Sequence, residues 1–181
     1  MLPNYLILGL GNPGPIYQKT RHNIGQEFVR WLQQQNQFSP WHQEKKYYSQ
    51  LSIYQTPQQK IILALPLVFM NETGRVIDKL TKYFDIPLKN IIVVHDDNDI
   101  NVGEFKLSFN YGSAGHKGVN SIIKTLKSQN FYRLRIGIQP KTTVRQKAGD
   151  LVLKKFSPEE RKIVTENFVL MKKALEEKLA D

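Results

Sequence analysis

His22 lies in the stretch YQKTRHNIG, directly after a glycine-rich run, with Tyr17, Arg21 and Asn23 as neighbours. An imidazole titrates near neutral pH and can accept a proton from a reacting group. An isolated histidine at such a junction is more often a capping or surface group, so the chemistry depends on partners from elsewhere in the chain. Three further segments offer them. His95-Asp96-Asp97-Asn98-Asp99 ends the apolar run NIIVVH. Carboxylates at the end of a central strand are costly unless exposed, paired or used. One of them could fix the tautomer of a histidine and stabilise its charged form; the plainer reading is an acidic turn leading to Gly103. Phe69-Met70-Asn71-Glu72-Thr73-Gly74 places Asn71 as a helix N-cap, although its amide could instead donate to a developing oxyanion. Gly112-Ser113-Ala114-Gly115-His116-Lys117-Gly118 is a small-residue loop that can bring backbone N–H groups close to a phosphate or ribose, or simply make a tight turn.

Two cofactor readings are weighed against this. Gly9-Leu10-Gly11-Asn12-Pro13-Gly14 matches the G-x-G-x-x-G dinucleotide fingerprint after a strand. Pro13 and Pro15 argue for an irregular loop where a helix should open at once, and Trp31–Gln37 lacks the acid expected to contact a ribose. A divalent metal on His22, His95, His116 and the aspartates is conceivable, but no H-x-H or H-x-x-x-H spacing supports it. The expectation is no cofactor and no metal.

The elements that must position these groups alternate in type. Strand patterns cover Tyr5–Leu10, Tyr47–Tyr54, Lys60–Leu65, Asn90–His95, Glu104–Phe109 and Leu134–Ile138. Helical spacing covers Asn23–Gln34, Asn71–Phe84 and a helix near Val119–Lys127. Ser157-Pro158-Glu159-Glu160 is a helix start, with Ser as cap, Pro at the first position and Glu three residues on. That spacing predicts one helix to about Lys178. Gln139–Gly149 is polar, basic and expected to be mobile. With no repeat or linker, the pattern predicts an α/β fold: a single domain over residues 1–181, a twisted mixed β-sheet with helices on both faces.

Composition narrows the partners. The 181 residues include 26 Lys+Arg against 16 Asp+Glu, a formal charge of +10. Thirteen basic residues against four acidic ones fall between Glu104 and Lys162, so the surplus is concentrated in one part of the chain. Such a concentration suits a polyanion, most simply RNA or DNA. No apolar run is long enough to span a membrane, and the first residues read as a strand and not as a signal peptide. The absence of cysteine rules out disulfides and thiolate chemistry and fits a cytoplasmic protein. Nothing in the pattern demands more than a monomer or an obligatory protein partner.

The segments LGLGNPGPIYQKTRHNIG, PLVFMNETG, IIVVHDDNDINVGEFKL, GSAGHKGVNSI and FYRLRIGI together resemble the bacterial-type peptidyl-tRNA hydrolase family, and they run in the family's order from Leu8 to Ile138. The resemblance implies hydrolysis of the ester joining a peptide to the 3′ ribose of tRNA, which recycles tRNA from abandoned translation. It implies His22 as the general base that activates water, with Asp96 orienting it. Asn12 would help distinguish peptide-blocked substrate from free aminoacyl-tRNA, and Asn71 would bind substrate or an oxyanion. Tyr17 and Phe69 would line the site for the tRNA 3′ end, and Lys106 and Arg133 would clamp the tRNA 5′-phosphate. One position departs from the family's G-G-H-N-G: Lys117 stands where an asparagine that contacts tRNA and holds water is expected. Lysine can contact phosphate but cannot accept a hydrogen bond. Asn120, three residues on, is a possible substitute. The alternatives are a non-catalytic RNA-binding module on the same fold, which Lys117 favours, and a nucleotide-dependent oxidoreductase.

Overall fold

In the computed structural model, residues 3–35, 37–141 and 145–180 are described. The strands β1 (Asn4–Gly9), β2 (His42–Glu44), β3 (Ser49–Gln55), β4 (Lys60–Pro66), β5 (Ile91–Asn101), β6 (Phe105–Phe109) and β7 (Tyr132–Gln139) form one sheet of order β2-β3-β4-β1-β5-β7-β6. The four central strands, β4, β1, β5 and β7, are mutually parallel, and β2, β3 and β6 close the edges antiparallel. β1, β4 and the first half of β5 are near-continuous apolar runs because both of their faces are covered, whereas β7 alternates and sets Arg133 and Arg135 on one face.

The helices are α1 (Ile24–Gln35), α2 (Thr73–Tyr83), α3 (Lys117–Leu126), α4 (Ala148–Leu151), α5 (Pro158–Glu166) and α6 (Phe168–Ala180). Alternation along each strand sends its side chains to two cores. Ile7, Leu63, Ile92 and Val94 pack with Phe28 of α1 and with Phe168 and Met171 of α6. Leu6, Leu8, Ile62, Ala64 and Val93 pack with Val76 and Leu80 of α2 and with Val119 and Ile122 of α3. The expected mixed sheet with helices on both faces is what forms. No helix among the described residues is long and apolar enough to cross a membrane.

Three local expectations are corrected. The acidic run after NIIVVH is not a turn: β5 continues to Asn101, pairing Asp96 with Ile136 and Asp97 with Gly137 before a bulge. A Cβ on Gly137 would lie 2.0 Å from the Asn101 carbonyl oxygen, so only glycine lets the two backbones approach there. The capping box at Ser157 forms as expected, but the helix it opens stops at Glu166. The Asn167 amide donates to the Gly103 carbonyl at 2.6 Å, and α6 starts afresh so that Phe168 can meet Phe28 edge-on at 5.2 Å. Asn71 is not a cap, because it lies in a 3-10 turn (Met70–Glu72) and Glu72 precedes α2. The short edge strand β2 carried no signal in a polar sequence. In the basic segment after β7, residues 142–144 lie outside the described residues; its ends are joined by Gln139 and Gln146, which exchange two hydrogen bonds at 3.0 and 3.2 Å.

Candidate active site

The glycine-rich run leaves β1 as an irregular loop. Leu10 N–H still bonds the Val94 carbonyl at 2.9 Å, Gly14 has φ 104°, and two 3-10 turns (Pro15–Tyr17 and Arg21–Asn23) precede α1. The helix does not open straight from the loop, and the Gln26 N–H in the first turn of α1 is spent on the Leu10 carbonyl at 3.1 Å, so the dinucleotide geometry does not form. What the loop does is deliver His22 to the carboxyl ends of β1 and β5, where ligands bind in open α/β sheets. Gly25 makes this possible: a Cβ there would stand 2.3 Å from the Val94 carbonyl oxygen, so α1 can lie directly on the strands. The His22 backbone N–H bonds the Val152 carbonyl (2.9 Å) and that of Arg21 bonds Lys154 (2.8 Å). The buried Arg21 guanidinium bonds the Ile138 carbonyl (2.9 Å) and Glu160 (2.6 Å) and lies 4.6 Å from the Phe156 ring centre.

Asp96 is buried, and its Oδ1 receives two histidines: His22 Nδ1 at 2.8 Å and His116 Nε2 at 2.9 Å. An ionised carboxylate only accepts, so both rings donate. For His116 the tautomer is fixed from its other side, because Nδ1 accepts the Gly118 and Val119 N–H groups at 3.1 and 3.3 Å and so caps α3. For His22, donation from Nδ1 leaves the Nε2 lone pair free as a base. Burial alone would raise the Asp96 carboxyl, but the charges of His116 and His22 and their hydrogen bonds outweigh it and hold the group far below the usual carboxylate range. His95, next in line, is pushed well below the ordinary histidine range by burial first, then by the charges of His116 and Arg133. His95 Nδ1 donates to the Asp96 carbonyl at 2.6 Å.

These groups open onto a cleft of about 930 Å³. Asn12, Tyr17, His22, Phe69, Asn71, Asp96 and Lys117 all line it, so seven residues expected from sequence come together. Asn12 bridges two segments: its Oδ1 accepts the Met70 N–H at 2.8 Å, while its backbone exchanges two 2.9 Å bonds with the Asn23 side chain. The amide that bridges the glycine loop to the Met70 turn thereby sets where Phe69 and Asn71 sit. Tyr17 and Phe69 meet edge-on at 6.2 Å. Phe69 and Asn71 are exposed to the cleft. Asn120 is not among the residues that line it.

Lys106 and Arg133, expected as a clamp, lie on adjacent strands but are not direct cross-strand partners. Pairing of β6 with β7 sets Lys106 opposite Arg135, and Arg133 opposite Ser108. Lys106 is exposed, whereas Arg133 is only 1% exposed and lies beneath the Tyr111 ring. Two-residue alternation puts both arginines on one face, but strand register decides which of them faces the lysine.

Among the described residues, His22, Asp96 and His116 form the one group whose donor atoms, all within 4.8 Å of one another, could hold a metal. They come from three separate elements, so sequence spacing could not announce them. Their separations are hydrogen-bond distances, and His116 Nδ1 is already committed to α3. A second cavity, about 520 Å³ between Leu32, Phe38, Tyr54 and Leu175, is lined by none of these groups.

The peptidyl-tRNA hydrolase family profile matches residues 6–181. The chain belongs to the peptidyl-tRNA hydrolase family. It is 40% identical to a peptidyl-tRNA hydrolase of Mycoplasma mycoides subsp. mycoides, over 91% of this chain and 87% of that protein. It is 38% identical to one of Dichelobacter nodosus, over 97% and 92%. The crystal structure of peptidyl-tRNA hydrolase from Acinetobacter baumannii superposes with a TM-score of 0.82 at 30% identity, covering 91% of this chain and 82% of that one. The role that sequence reasoning missed is that of His116, weighed from sequence only as a metal ligand and in the structure the second ring bonded to Asp96. Its signal was the small-residue loop before α3, where a histidine is an unusual helix cap.

Proposed function

We propose that the chain hydrolyses the ester between peptide and tRNA in peptidyl-tRNA, with His22 as the general base. The observation that carries this reading is the 2.8 Å bond from His22 Nδ1 to buried Asp96 at the wall of the cleft, which leaves Nε2 free to take a proton. Nε2 removes a proton from water as its oxygen attacks the ester carbonyl carbon. The tetrahedral intermediate then expels the 3′ ribose oxygen, which takes that proton back from His22. Asp96 stabilises the imidazolium between the two transfers, and His116, tied to α3, holds Asp96 in place. The Asn71 amide, exposed in the cleft beside the start of α2, donates to the oxyanion in this reading. Asn12 positions the Phe69–Asn71 turn, Tyr17 and Phe69 offer aromatic surface to the terminal nucleotide, and Lys117 offers a cation to a backbone phosphate. Lys106 and Arg135, facing each other across β6 and β7, suit a further phosphate contact.

In this reading residues 1–181 act as one domain, a cytoplasmic monomer whose partner is tRNA. The test is release of free tRNA from an N-blocked aminoacyl-tRNA. Loss of a general base typically costs about 10²- to 10⁴-fold, so His22→Ala is expected to lose turnover to that extent with tRNA binding intact. A His22→Ala protein that retains wild-type turnover removes His22 from the reaction, and wild-type binding without turnover returns the chain to a non-catalytic RNA-binding role.

A further inference from the structure

Arg133 is the most isolated charge in the described structure. Its Nε, Nη1 and Nη2 are all buried and none has a hydrogen-bond partner. The neighbouring carboxylate, Asp97, is already used: its Oδ2 accepts from Arg135 Nε at 2.8 Å. Burial, and then the Arg135 charge, lower the Arg133 pKa to about 10, which still leaves a cation at neutral pH. The group lying against that cation is the Tyr111 ring, 4.9 Å from the Arg133 guanidinium carbon and 4.3 Å from that of Arg135. An aromatic face compensates a desolvated guanidinium only in part, whereas a phosphate would satisfy it with two parallel charge-assisted bonds.

The cover is lightly held. Tyr111 is 44% exposed, and its hydroxyl makes no hydrogen bond to a described residue. It sits in the loop between β6 and α3, where Asn110 and Ala114 have φ 51° and 46° and Gly115 has φ 80°. Two backbone hydrogen bonds hold the loop, Asn110 N–H to Phe131 and His116 N–H to Ser113. Arg133, by contrast, is fixed in β7.

We propose that Tyr111 is a displaceable cover over an anion site built on Arg133, and that a phosphate group of RNA takes the place of the ring when the loop swings out. The cover makes the resting protein a weaker RNA binder than its charge would allow, because each binding event must first expel the ring. The proposal rests on the reading that this chain acts on tRNA.

The experiment compares wild type, Tyr111→Ala and Tyr111→Phe on two substrates, an N-blocked aminoacyl-tRNA and the same ester on a CCA trinucleotide, across a salt series. Tyr111→Ala is expected to lower KM for the tRNA substrate about three- to tenfold and to leave the slope of log affinity against log salt as in wild type, because both proteins hold the same phosphate once bound. Its KM for the trinucleotide is expected to stay within about twofold, and Tyr111→Phe is expected to follow wild type. A KM for the tRNA substrate that is unchanged or higher in Tyr111→Ala, or one that falls equally for the trinucleotide, overturns the cover. A second variant guards the assignment to Arg133: Arg133→Met in the Tyr111→Ala background is expected to cancel the gain and to make the salt slope shallower by about 0.9, one duplex phosphate, without lowering Tm, since the guanidinium has no hydrogen-bond partner to lose. A gain that survives in the double variant, or a lowered Tm, assigns Arg133 a structural role and overturns the site. Salt titration of deacylated tRNA reports the same slopes without turnover, so a protein that hydrolyses neither ester refutes the hydrolase reading and still tests the cover.

Discussion

The cleft at His22 and the arginine strip along β7 both bury charge, and they solve the problem in opposite ways. Around Asp96 the buried carboxylate has two ring donors, and one ring is held from behind by helix N–H groups. Along β7, Arg135 has Asp97, whereas Arg133 has three unpartnered nitrogens under an aromatic lid. The first arrangement is preorganised: its groups stand in place before a substrate arrives, as transition-state stabilisation requires. The second is incomplete, and an incomplete buried cation is a place for a ligand to finish. In the proposed reading, catalysis and electrostatic recognition therefore place opposite demands on neighbouring strands.

This contrast can be broken most severely in the cleft. Asn71→Ala is expected to lower kcat about 10²- to 10³-fold, the usual loss for one oxyanion donor. If kcat holds and only KM rises, Asn71 binds substrate without stabilising the transition state. A smaller loss is expected from His116→Ala. It removes a charge-assisted bond to Asp96 and a helix cap, each of a kind that contributes about 1 to 3 kcal/mol, measurable as a lower urea midpoint. An unchanged midpoint would mean that Asp96 is held by its surroundings and not by the second ring.

The smallest effect is in acid. His95 binds a proton less readily folded than unfolded, so between about pH 6.5 and its depressed folded value the unfolded chain takes up more protons and stability falls as pH falls. The slope contributed by one such group is at most about 1.4 kcal/mol per pH unit. Asp96, whose folded pKa is depressed, adds a loss that begins only below about pH 4, where its carboxylate starts to protonate in the unfolded chain. Urea melts of wild type and His95→Asn between pH 7 and 5 should therefore converge as pH falls. Parallel curves would show that His95 does not resist protonation in the fold.

Local patterns were legible where local physics decides them. The alternation of strand and helix patterns announced a sheet with helices on both faces, and Ser157-Pro158 announced a helix start, because burial periodicity and capping are properties of a few adjacent residues. His22, Asp96, Asn12, Tyr17, Phe69, Asn71 and Lys117 could be nominated from residue type and from family resemblance, and they meet in one cleft. What the tertiary structure alone decided are the pairings between distant segments. Asp96 meets one histidine 74 residues away and another 20 away because β1 lies beside β5 and α3 starts above them. Lys106 faces Arg135 and not Arg133 because of the β6–β7 register, and Arg133 is left without an anion because Asp97 bonds its neighbour. Sequence spacing reaches one turn of helix or one strand. Which carboxylate serves two histidines, and which arginine goes unserved, depends on the order of strands in the sheet.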